Sequence, residues 1–155
     1  MVNDLLDEQL IEPGLRATTR ADVLRELAAV VVRSGLVSSD DTDGLADEVA
    51  QREHLESAAS GKGLSLQHAE IQQVPSCLVV VGRSRVGISM SAIDDRPVYL
   101  VILMLSPPEK RSQYLEVFGD LVSLFHADDL TDRLMSASGP HEIVEVIEEY
   151  ASSPA

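Results

Sequence analysis

The run Val98 to Leu105 is the longest uninterrupted apolar stretch in the chain, and it constrains the fold more than any other feature. It falls far short of the roughly 20 apolar residues that a membrane-spanning helix needs. Asp94-Asp95-Arg96-Pro97 marks a turn before it, and Pro107-Pro108 halts it. Short, apolar and bounded by breakers, it predicts a strand buried on both faces and central in a sheet. Leu78 to Val81 has the same character. Val86 to Met90 is a weaker candidate, with Gly87 as a possible bulge. Leu64 to Leu66 reads as a short strand leading to His68, after a Ser57–Gly63 loop rich in small residues.

Helical spacing fills the rest. The opening dozen residues form an extended lead-in ending near Pro13-Gly14. Thr19 caps a helix, with Asp22 in capping-box position, and Val23, Leu24, Leu27, Val30 and Val31 share one face up to a stop at Gly35. Asp40, Asp41 and Asp43 suit the N-terminus of a second helix that continues through Leu45 and Val49 to Leu55. Leu115, Phe118, Leu121, Val122 and Phe125 mark an amphipathic helix. A short helix follows around Leu130 and Leu134. Pro140 opens a last one, with Ile143, Val144 and Ile147 inward. The order predicts an α/β fold, a single-domain mixed β-sheet flanked by helices on its faces. At 155 residues, the chain reads as one domain over residues 1–155, with a loose tail from Ser152 to Ala155.

Charge narrows the function classes. A formal net charge of -14 opposes phosphate backbones, so nucleic acid is not an expected partner. Cys77 is the only cysteine, which rules out an intramolecular disulfide and reads as a small buried hydrophobe. Asp4, Asp7 and Glu8 stand where a signal segment would be basic and then apolar. Together these predict a cytoplasmic protein with no membrane insertion.

Four histidines are present. His54 reads as a surface side chain, His126 as a helix-terminal one and His141 as exposed. No pair has HExxH spacing and no ligand set forms around Cys77, so neither a metal nor a cofactor is expected. No P-loop, dinucleotide fingerprint or Ser-His-Asp pattern points to a hydrolase or ligand sensor. His68 stands apart, because a strand end can hold an imidazole at the surface on a rigid sheet.

The segments Arg52-Glu53-His54-Leu55-Glu56-Ser57 and Gly61-Lys62-Gly63-Leu64-Ser65-Leu66-Gln67-His68-Ala69 resemble the signature of enzyme IIA domains of the fructose, mannitol and nitrogen type. Ala92-Ile93-Asp94-Asp95-Arg96-Pro97-Val98 resembles the same family's segment before its central strand. The resemblance runs from about Leu5 to Tyr150. It implies a phosphoryl carrier with His68 as acceptor. The implied partners are a histidine phosphocarrier of the HPr kind and either a IIB domain or a regulatory target. It assigns Arg52 and Ser57 to the phosphoryl site, with Gln67 and Tyr114 as further candidates. Arg52 equally suits an intrahelical ion pair with Glu48 or Glu56. Gln67 replaces the family's usual proline, Ala58 its threonine, and Tyr114 falls where many members carry a second histidine. These departures point to a stand-alone regulatory protein, and they leave open a binding module that has lost phosphotransfer.

Overall fold

The computed structural model describes residues 4–37, 40–52, 59–89 and 96–152. Five strands form one mixed sheet in the order β1-β4-β5-β3-β2. They are β1 (Ile11–Glu12), β2 (Ala59–Gly61), β3 (Leu64–Glu70), β4 (Leu78–Ile88) and β5 (Val98–Ser106). The run that sequence marks as central occupies the middle position, paired antiparallel with β4 and parallel with β3.

Side chains alternate across a strand, so each strand serves two interiors. On one face, Val80, Val101, Leu103, Leu105 and Ala69 pack against α1 (Arg20–Ser34) and α2 (Thr42–Arg52). On the other, Leu64, Leu66, Val79, Ile102 and Met104 pack against α3 (Arg111–Val122), α4 (Leu130–Ser136) and α5 (Pro140–Ser152). The expected α/β architecture, with helices on both faces, is what is found.

Local chemistry explains the boundaries. Thr19 Oγ1 accepts the Asp22 N–H at 3.4 Å, and Gly35 closes α1 with a φ of 78°. The expected end of α2 at Leu55 lies outside the described residues. Three readings change. The Ser57–Gly63 segment is not all loop. Lys62 and Gly63, with φ of 57° and 80°, form a two-residue turn that pairs β2 with β3. Two consecutive positive φ angles are what a tight hairpin needs, and glycine supplies one without strain. Next, Leu78–Val81 and the Val86 segment are one strand, since Arg83 and Ser84 are buried within it. The Arg83 guanidinium donates to the carbonyls of Pro13, Leu134 and Ala137, so the strand continues across a charged residue. Burial lowers the pKa of that guanidinium.

Finally, α3 turns a different face inward. Val117 and Leu121 are buried, whereas Leu115 is 61% exposed and Val122 sits at the surface. The inward stripe starts at Tyr114 and runs through Val117, Phe118 and Leu121 at helical spacing. In α5, Val146 joins Ile143 and Ile147 inside, and Val144 is half-buried. That helix extends through Ser152, the first residue of the expected loose tail. Cys77 is buried as expected, and burial pushes its thiol pKa up.

Candidate functional site

His68 lies inside β3, opposite Met104 of β5. The expectation that the strand ends before it is corrected: polar Gln67 and His68 break the apolar pattern, but the ladder continues to Glu70. The expectation of a surface imidazole is corrected with it. The side chain points to the face covered by α3, and His68 is 1% exposed.

Among the described residues, three side chains are placed against the ring. Ser106 Oγ, at the end of β5, lies 2.9 Å from Nε2. The Tyr114 ring stacks on the imidazole with centroids 3.8 Å apart and planes at 14°. Phe118, one turn further along α3, meets the imidazole edge-on at 6.4 Å. Tyr114 and Phe118 themselves lie 5.6 Å apart. A hydrogen bond at one nitrogen and an aromatic plate over the face leave the ring little rotational freedom. A neutral imidazole held in this way offers a directed lone pair, which is what nucleophilic attack on phosphorus requires.

The other sequence candidates fall in different places. Tyr114 is brought directly onto His68. Gln67 is not, because it alternates to the opposite face, where its Nε2 donates to Ser65 Oγ at 3.0 Å. Arg52 ends α2, which packs on that same opposite face. Its Nε is 3.3 Å from Glu48, the intrahelical pair that spacing allowed. Glu48 also accepts from Gln73 at 2.7 Å, tying α2 to the loop after β3. Ser57, Ala58 and His54 lie outside the described residues. His141 is exposed as expected and contacts Glu8 and Glu145.

Two contacts at the site escape motif reading. One is Ser106, whose hydroxyl faces His68 because β3 and β5 run parallel with Glu70 opposite Ser106. Its place at the end of the strongest strand, just before Pro107-Pro108, was the available signal. The other is Arg111, whose Nη2 lies 3.2 Å from Glu70 Oε1. Arg111 stands three residues before Tyr114, so both project from one helix face.

Residues 4–150 match the family described as the phosphoenolpyruvate-dependent sugar phosphotransferase system, EIIA 2. A fructose-specific EIIABC component of Bacillus subtilis is 22% identical over 149 residues, covering 96% of this chain and 23% of that protein. The chain thus spans about a quarter of that relative. A nitrogen regulatory protein of Bradyrhizobium diazoefficiens is 23% identical over 146 residues, covering 94% of each. Among solved structures, the nitrogen regulatory protein IIA-Ntr of Neisseria meningitidis superposes with a TM-score of 0.78 at 19% identity, covering 94% of this chain and 98% of that one. The mannitol enzyme IIA of Escherichia coli, solved in complex with its phosphorylated enzyme IIB, superposes with a TM-score of 0.69 at 17% identity, covering 93% and 97%. Matched along nearly all of its length, the chain belongs to the EIIA 2 family of the phosphoenolpyruvate-dependent sugar phosphotransferase system.

Proposed function

We propose that this protein carries a phosphoryl group on His68, taken from a histidine phosphocarrier of the HPr kind. The group is then passed to a IIB domain or kept as a regulatory mark. The observation that carries the reading is the imidazole fixed between Ser106 and Tyr114 on a central parallel strand pair. In the transfer, a lone pair on His68 attacks phosphorus while the N–P bond of the donor imidazole breaks. The donor nitrogen regains its lone pair, and nothing is oxidised or reduced. Such a loose transition state needs positioning and counter-charge more than covalent help. Because His68 is buried, its surroundings have to open before phosphorus reaches the nitrogen.

Family relatives support the partner class. The mannitol IIA structure is a complex with a phosphorylated IIB protein, and several curated relatives are nitrogen regulatory proteins. A group fed from phosphoenolpyruvate also suits a protein working in the cytoplasm.

The test is labelling of the pure protein by phosphoenolpyruvate, enzyme I and HPr. An acid-labile phosphate on the wild-type protein, absent from His68→Ala, supports the assignment. Equal labelling of the two proteins rejects it. The burial of His68 also favours a second reading, a protein-binding module without transfer. That reading requires no labelling from any cognate carrier and a partner still bound by His68→Ala.

A further inference from the structure

We propose that Arg111 is the cation that receives the phosphoryl group at His68, and that Glu70 holds it in reserve until the group arrives. The proposal rests on the phosphoryl-carrier reading above and adds the residue that meets the charge.

The argument begins with placement. His68 and Glu70 are two positions apart on β3, so their side chains leave the same face about 7 Å apart along the strand. Tyr114 and Arg111 are three positions apart on α3, so they too share a face. Tyr114 stacks on His68 while Arg111 reaches Glu70 at 3.2 Å. The two strand residues and the two helix residues therefore meet in matching order, which leaves the guanidinium held at Glu70, two strand positions from the imidazole.

Chemistry then separates this arginine from its rivals. Arg83 is committed to three backbone carbonyls inside the fold. Arg52 rises from the helix layer on the opposite face and pairs with Glu48. The side chain of Arg111 is 72% exposed, so it can swing, and its partner carries a single charge. Exposed pairs of this kind are weak and readily exchanged. A phosphoryl group brings about −1.5 to −2 charges and three acceptor oxygens, which outcompete one carboxylate for a planar fork of N–H donors. A dianion attached to a buried ring without a counter-charge would be strongly disfavoured. Arg111 leaves Glu70 and pairs with the phosphoryl oxygens as the N–P bond to His68 forms.

The experiment is a rapid-mixing measurement of phosphoryl transfer from phosphorylated HPr to the wild-type protein, Arg111→Gln, Arg111→Lys and Glu70→Gln. Arg111→Gln is expected to slow transfer about 10- to 100-fold, with Arg111→Lys recovering part of the rate. Glu70→Gln, which breaks the same ion pair but frees the cation, is expected to transfer at least as fast as wild type. A purely structural clasp would make both glutamine variants slow together. That result overturns the proposal, as does a wild-type rate in Arg111→Gln. If Arg111→Gln fails to fold, Arg111→Lys against Glu70→Gln supplies the same contrast. Wild-type protein that takes no phosphate at His68 overturns the carrier reading and this proposal together, whereas labelled His68 with an indifferent Arg111 overturns this proposal alone.

Discussion

The phenol ring of Tyr114 lies on the imidazole of His68, with centroids 3.8 Å apart and planes 14° apart. A stacked pair contributes about 0.5–1.5 kcal/mol beyond the area it buries. Removing the plate by Tyr114→Ala should raise the population of uncovered imidazole about 2- to 10-fold. Diethylpyrocarbonate modification, followed at the His68 peptide by mass spectrometry, reports that population. An unchanged rate at His68 would mean that Tyr114 does not control access.

Ser106 is a polar partner of the same ring. Ser106→Ala removes the 2.9 Å contact and leaves Nε2 facing a methyl group inside the protein. The cost should be about 1–3 kcal/mol, because a buried polar atom loses its partner. Urea denaturation measures it, and the side-chain nitrogen shifts of His68 by NMR should show an altered tautomer balance. Wild-type shifts in the variant would remove Ser106 from the site.

Arg83 offers a structural control away from the chemistry. Its guanidinium donates to Pro13, Leu134 and Ala137 at 3.0, 2.9 and 2.7 Å. Arg83→Met strips three carbonyls of their donor and should destabilise the fold by about 2–4 kcal/mol. A denaturation midpoint equal to wild type would contradict the role assigned to this clamp.

His141 makes a pH prediction. A hydrogen bond to Glu8 and the nearby charge of Glu145 raise its pKa above the usual 6.5. The folded state therefore binds the proton more tightly than the unfolded chain. The stabilisation is complete below the unfolded value of about 6.5 and is lost as pH rises through the higher folded value. The melting temperature of wild type should exceed that of His141→Gln near pH 6, and the gap should close by about pH 9. A gap that widens with rising pH would reverse the sign and refute the assignment.

Much of this architecture can be read from the chain, and the misreadings have identifiable causes. Thr19, Gly35 and the Val98 strand announce themselves because cap chemistry and apolar runs are local signals. His68 looks like a strand end because Gln67 and His68 are polar, yet both side chains are enclosed by helices that sequence spacing does not position. Arg83 looks like a break in β4 for the same reason, since its partners are up to 70 residues away. Motif resemblance points to His68 and Tyr114, which do meet, and to Gln67, which strand alternation sends to the other face. Ser106 and Arg111 carry no motif. They become visible only once the parallel register of β3 with β5 and the crossing of α3 are known.

The sheet divides the interior into two rooms, and the imidazole of His68 occupies only one of them. Substitutions among residues lining the α1–α2 room are expected to act on stability, with little effect on the surroundings of His68. Substitutions beneath α3 act on both, because there the wall of the room is also the lid of the ring.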